Sequence, residues 1–187
     1  MLEAEATTAP AAGPSVVRFT TWLAAAVATG AWAARYGLAV EALVAAGFFA
    51  TLAVLSAIDI ETRRIPNRIV LPATAAAFGA VILLHPEELP ASVVAAVAAF
   101  LVFFVPGIIS GGSIGMGDAK LALLIGAFLG ADILAALLVG SLAGGVVALA
   151  VVATRGREGF KVPIPYGPFL ALGATVALVA GGGTLYS

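Results

Sequence analysis

The chain has 187 residues, 62% of them hydrophobic, and its nine Lys or Arg and ten Asp or Glu leave a net charge of -1. A mean hydropathy of +1.14 excludes a soluble globular enzyme, in which roughly a quarter of residues would be charged; the lack of a basic excess argues equally against a nucleic-acid binder. With no Cys there is no disulfide framework, thiol nucleophile or cysteine zinc site, and the remaining class is an all-α, polytopic transmembrane helix bundle.

In chain order, residues 1–15 hold Glu3, Glu5, Pro10 and Pro14 among small residues and read as a flexible tail. They lack the basic start and early apolar run of a signal peptide. Residues 16–187 then read as a single transmembrane domain. Its apolar stretches are Val16–Ala34, Val40–Ile58, Ile69–Leu84, Ala91–Ile109, Ala119–Gly130, Ile133–Ala153 and Phe169–Ala180. An upright helix needs about 20 residues to cross about 30 Å of hydrocarbon. The fifth and seventh stretches fall short, so their ends are expected inside the membrane or shielded by neighbours.

Seven spans with a cytoplasmic N-terminus satisfy the positive-inside rule. They put Arg18, Arg63, Arg64, Arg68, Lys120, Arg155, Arg157 and Lys161 on the cytoplasmic side and leave only Arg35 outside. The loop from His85 to Pro90 has no Lys or Arg and falls outside. Gly107 with Gly111, Gly126 with Gly130, and Gly140 with Gly144 place small residues four apart, which lets helix backbones approach closely in lipid. No internal repeat and no second domain is visible.

Ionisable groups at membrane depth are expensive, so each is a functional question. Glu41 and Asp132 stand at outer span ends, Glu87 and Glu88 in an outer loop, and Glu158 in a basic loop; capping and solvation account for them. Asp59 and Asp118 are different. Asp59 closes the second stretch before the basic turn Thr62-Arg63-Arg64-Ile65-Pro66-Asn67-Arg68, and Asp118 follows the glycine-rich run from Gly111 to Gly117. The topology puts both at the cytoplasmic face. A structural account pairs Asp59 with Arg63, one turn on, and makes Asp118 a cap or first-turn carboxylate; neither explains the glycines.

Gly115 and Gly117 flank Met116, so the backbone there is free to take φ > 0 and to pass close to another chain. An extended peptide laid against such a turn would present its peptide bond to the next carboxylate. Two carboxylates about 3 Å apart share one proton. The ionised member then activates water while the protonated member polarises the carbonyl, the pair titrating as a unit.

These residues resemble a known family. Gly115-Met116-Gly117-Asp118 is a GxGD motif, followed by Ala119-Lys120-Leu121 and Gly126-Ala127-Phe128-Leu129-Gly130. Upstream stand Asp59 and Arg64-Ile65-Pro66-Asn67, and near the end Ile164-Pro165-Tyr166-Gly167-Pro168-Phe169-Leu170-Ala171-Leu172-Gly173. Together they are similar to the bacterial prepilin peptidases, aspartic intramembrane proteases of the GxGD type. The resemblance implies removal of the short basic leader of type IV prepilins or pseudopilins, just before the substrate's apolar helix, in the cytoplasmic membrane of a prokaryote with the site facing the cytoplasm. It implies Asp59 and Asp118 as catalytic residues and Gly115, Met116 and Gly117 as the motif around them. Lys120, Pro66 and Asn67 become structural or substrate-facing positions, and no cofactor or metal is called for. Larger members carry a cytoplasmic insertion with paired cysteines and also methylate the product; the match is to the compact, protease-only form.

Two other classes stay open on the residues alone. A small proton-coupled transporter also uses paired membrane acids, but near the midplane and with interrupted helices in both halves of a repeat. A non-catalytic assembly subunit of a secretion or pilus system would keep its function with either acid neutralised. His85, the only His, lies in the outer loop away from both acids, so no Ser-His or metal cluster is built on it. Two carboxylates fall short of the six oxygens that Mg²⁺ wants. Trp22 and Trp32 read as interface anchors, and the segment Arg155 to Lys161 as a topology determinant.

Overall fold

The computed structural model describes residues 25–31, 33, 40–109 and 115–180. Most of the first expected span, the tail 1–15, Arg18, Arg35, Trp22, Trp32 and Gly111 lie outside the described residues. Residues 25–31 and 33 are helical. Six α-helices follow: α1 Val40–Thr62, α2 Asn67–Leu84, α3 Leu89–Ile109, α4 Met116–Leu129, α5 Ile133–Arg155 and α6 Gly167–Ala180. Short 3-10 turns join several of them, and no strand occurs among the described residues.

Among the described residues, four helical runs are long and apolar enough to cross a membrane: Val40–Thr62, Asn67–Leu84, Pro86–Ile109 and Met116–Gly159. The last is α4, α5 and the first residues of the 3-10 segment after α5, with a 3-10 turn between the two helices, where Gly130 takes φ 54°. Only glycine adopts that backbone cheaply, and the chain reverses there. The described order is compatible with seven spans. At about 1.5 Å per residue, α1 is long enough to cross unaided, whereas α4 and α6, with 14 residues each, are not.

The short α4 is covered by its neighbours, as the sequence requires, whereas α6 buries one face and leaves Leu172 and Val176 exposed. In α4, every residue from Leu124 to Leu129 is buried, together with Ala119, Leu121 and Ala122. The Phe48 ring of α1 stacks on Phe128 of α4 with centroids 3.8 Å apart. By contrast Leu43, Leu83, Ile109 and Leu134 are largely uncovered, as lipid-facing side chains can be without penalty.

Small residues set the helix pairs. A Cβ on Gly126 would stand 2.7 Å from the Ala95 carbonyl oxygen, so α3 and α4 touch backbone to backbone. The Ser92 hydroxyl donates to the Ala127 carbonyl at 2.7 Å across the same contact. On α5, Gly140 faces Phe169 and Leu170, Gly144 faces Tyr166, and Ala136 faces Gly173. The numbers run oppositely, so α5 and α6 are antiparallel. The Gly140 and Gly144 pair thus does what its spacing implies, while Gly130 serves the turn and the Gly107 pairing reaches outside the described residues.

One end of the bundle gathers the end of α1, the starts of α2, α4 and α6, and the segment after α5. It carries Arg63, Arg64, Arg68, Lys120, Arg155 and Arg157. The other end carries Glu41, His85, Glu87, Glu88 and Asp132 and, among the described residues, no Lys or Arg. His85 closes α2 there, with its Nδ1 3.6 Å from Glu87 Oε1.

Candidate active site

The basic end opens into a cavity of about 460 Å³ whose wall includes both Asp59 and Asp118. Asp59 stands in the last turn of α1 and is 4% exposed. Asp118 is the third residue of α4, and its backbone N–H closes the first turn on the Gly115 carbonyl at 3.0 Å. The two side chains thus line one cavity from different helices. Both acids stand within one turn of a helix end, not at mid-span.

The segment after α1 explains how they meet. Arg63 takes the left-handed φ of 53°, unusual for a side-chain-bearing residue, and its N–H bonds to the Asp59 carbonyl at 2.8 Å. This ends the helix at Thr62, three residues beyond Asp59. Pro66, extended at φ -72°, ψ 126°, starts α2, and its carbonyl accepts the N–H groups of Ile69 and Val70. Between them Ile65 is buried and lies on Gly117, where a Cβ would come within 3.1 Å of the Ile65 Cβ. One step on, Lys120 Nζ donates to Asn67 Oδ1 at 2.8 Å. The loop therefore clips the start of α4 at two points, and the clip brings Asp118 alongside Asp59.

The residues anticipated around the acids thus divide by place. Gly115, Met116, Gly117, Lys120 and Asn67 line the cavity with the two aspartates, while Pro66 stands behind it as the start of α2. The expected left-handed glycine turn is not what the described residues adopt. Gly115 has φ -68° and Gly117 has no positive φ. Close approach is what the glycines provide: Gly117 leaves room for Ile65, and Gly115 lies against the Asp118 carboxylate. The structural account of Asp59 also gives way, because among the described residues no ion pair joins it to Arg63. Its partner is backbone: Gly167 N–H donates to Asp59 Oδ2 at 2.9 Å.

Gly167 was not among the site residues expected from the sequence, although the motif around it was noticed. Pro163, Ile164, Pro165 and Tyr166 form an extended wall of the cavity before α6. The Tyr166 carbonyl accepts the N–H groups of Phe169 and Leu170, and its hydroxyl donates to Ser141 Oγ at 3.0 Å. Pro168 falls in the first turn, where a helix tolerates proline. A Cβ on residue 167 would lie 2.8 Å from Asp59 Oδ2, so only glycine fits without a shift. Among the described residues no three His, Cys, Asp or Glu side chains gather as a metal site.

A transmembrane helical bundle with two carboxylates from different helices in a cavity at one end is the class the geometry defines. The type IV leader peptidase family matches residues 46–149, and this chain belongs to that family. It is 36% identical over 162 residues to a prepilin leader peptidase/N-methyltransferase of Burkholderia pseudomallei, covering 83% of this chain and 52% of that protein. It is 35% identical over 156 residues to a protein of the same name from Bacillus subtilis, covering 79% and 59%. A Pseudomonas putida protein of that name is 32% identical over 158 residues, covering 81% and 54%. The chain spans about half the length of these relatives, and no solved structure matches it significantly. The family match contains Asp59 and Asp118 but ends before the Pro163–Gly167 wall.

Proposed function

We propose that the chain is a membrane-embedded aspartic endopeptidase that cleaves the leader of a type IV prepilin or pseudopilin. The observation that carries this is the pairing of Asp59 and Asp118 in one cavity at the basic end of the bundle, in a chain of the leader peptidase family. The basic residues gathered at that end support, by the positive-inside rule, a site that would face the cytoplasm, and the family supports the inner membrane of a prokaryote. There it would meet the leader as it emerges from the bilayer ahead of the substrate's apolar helix. Acids at a helix end, and not at mid-span, speak against a transmembrane proton relay.

The chemistry follows from two carboxylates that share a proton. One takes a proton from a water as its oxygen bonds to the scissile carbonyl carbon, while the other gives its proton to the carbonyl oxygen. In the resulting diol, the first carboxyl passes its proton to the amide nitrogen as the C–N bond breaks. A diol hydroxyl then returns a proton to the second as the C=O reforms. Both aspartates end as they began, and the net reaction is hydrolysis. Gly115, Met116 and Gly117, with the extended Pro163–Tyr166 segment, form the walls between which the substrate backbone would lie. Pro66, Asn67 and Lys120 hold the second aspartate in place.

The test is cleavage of a prepilin in liposomes, read by gel shift, for the native chain, Asp59→Asn and Asp118→Asn, with folding checked for each. Cutting by the native chain and none by either folded variant is expected. Near-native cutting by a folded variant would make that aspartate structural and overturn the assignment.

A further inference from the structure

We propose that the two aspartates are not equivalent: the Gly167 N–H fixes the negative charge on Asp59, so that Asp59 is the water-activating base and Asp118 the proton-bearing acid. The inference rests on the peptidase reading for its catalytic meaning, but its structural content stands apart from it. Gly167 is then a positioning residue that acts on the reaction through Asp59.

Three observations carry it. First, Asp59 Oδ2 accepts the buried Gly167 N–H at 2.9 Å, whereas among the described residues no hydrogen bond reaches the Asp118 carboxylate. A backbone N–H can only donate, so it favours an acceptor that is ionised over one whose oxygen bears the proton. Second, Gly167 is the first residue of α6, a helix of 14 residues, and the free N–H groups and dipole of a helix start favour a negative charge. Third, the site is built for this contact. The Gly167 backbone lies so close that a Cβ would meet Asp59 Oδ2, Cβ and Cγ at 2.8 to 3.2 Å. Asp59 is otherwise buried, and a charge there without a donor would be expensive.

The other charged side chains on the cavity wall are Arg63, Arg64 and Lys120. Lys120 is held by Asn67, and among the described residues neither arginine makes an ion pair with an aspartate. The Gly167 contact is therefore the direct bond that distinguishes the two acids. In the proposed reaction the proton of water goes to Asp59, and the proton of Asp118 goes to the carbonyl oxygen.

The test replaces the Gly167 N–H by oxygen, with glycolic acid at position 167, so that a backbone ester removes the donor and leaves the shape. The readout is the ¹³Cγ signal of each assigned aspartate in the full chain in lipid nanodiscs, over the pH range in which the pair holds one proton. In the all-amide chain Asp59 is expected at the carboxylate shift and Asp118 at the carboxylic acid shift. The ester is expected to draw the two together. A native chain with the proton on Asp59, or an ester chain with unmoved signals, would overturn the proposal; the native measurement alone decides it if the ester chain does not fold. In the cleavage assay the ester should lower kcat by about tenfold to a hundredfold, the worth of a hydrogen bond to a charge, with KM held. An unchanged kcat would also overturn it. A native chain with the expected split of signals but no cutting of any prepilin would sink the peptidase reading and leave the charge assignment standing.

Discussion

Replacing Gly167 by alanine adds one methyl group at the tightest point of the site. That Cβ would lie 2.8 Å from Asp59 Oδ2 and 3.2 Å from both Cβ and Cγ, where ordinary van der Waals contact begins at 3.4 Å. The carboxylate oxygen must therefore retreat by about 0.6 Å, the difference between the first and last of these distances. Rotation of the side chain does not suffice, because the Asp59 Cβ is itself too close, so α1 and α6 must also part slightly. A misplacement of about 1 Å at a reacting group costs on the order of 10²-fold in rate. Gly167→Ala should accordingly cut a prepilin about tenfold to a hundredfold more slowly than the native chain, in initial rates at saturating substrate in liposomes. Its thermal unfolding should fall only modestly, since besides one side chain only the adjoining ends of α1 and α6 have to shift. Gly145→Ala is the control, because nothing lies within 4 Å of a Cβ at that position, and its rate should be native. A folded Gly167→Ala that cuts within about twofold of the native rate would refute the argument that this contact sets the position of Asp59.

Other outcomes follow from the same geometry. Asp59→Asn and Asp118→Asn should each lower kcat by about 10²-fold to 10⁴-fold or more, the range for loss of a general acid or base, with unfolding temperatures in detergent close to native. Gly126→Val should destabilise the bundle by about 1–3 kcal/mol, the usual cost of overpacking, because the added side chain meets Ala95 and Ala96 backbone; reversible unfolding in mixed micelles measures it. A double-mutant cycle on Asn67→Leu and Lys120→Met should give a coupling of about 0.5–1 kcal/mol, below the usual worth of a bond to a charged group because the pair is exposed. Zero coupling would show that the clip between α2 and α4 is held by Ile65 on Gly117 alone.

The helices were largely legible because apolar runs in this chain end at prolines, glycines and charges. The stretch expected from Ile69 to Leu84 is α2, begun two residues earlier by Pro66 and Asn67, and the stretch from Ile133 is α5. The two acids were legible for a different reason: each is an expensive group at membrane depth beside turn residues that a plain cap does not require. The clip between them was only half legible. Asn67 and Lys120 stood out by their motifs, but nothing local says that they bond across 53 residues. Ile65 stands in the same motif as Asn67 without a role of its own there, and its burial against Gly117 is a tertiary fact. The glycine motif was half legible too: the expected close approach to another chain is there, the expected φ > 0 is not. A glycine near a site suggests φ > 0 when only its own backbone is considered, yet here its use is the absence of a side chain where another chain passes.

Gly167 marks where reading of side chains stops. A residue that acts through its backbone N–H carries no chemical signature in its residue type, and 108 residues separate it from the carboxylate it meets. What the sequence does hold is the means of delivering that N–H. Pro163 and Pro165 keep the chain extended, Tyr166 anchors it to Ser141 of α5, and the missing side chain at 167 lets the new helix start against Asp59. Gly140, Gly144 and Gly173 draw α6 against α5 along its length, which fixes the height at which that start falls. The close packing of α5 and α6 and the charge on one aspartate are thus a single construction. Loosening the pair at a distance, as Gly173→Val would by meeting the Ala136 carbonyl, should slow cleavage as well as weaken the fold. Gly126→Val, at the α3–α4 contact, touches neither α6 nor Gly167. Comparing the two variants at matched loss of stability tests that link: equal loss of rate in both would mean that the α5–α6 seam has no particular hold on Asp59.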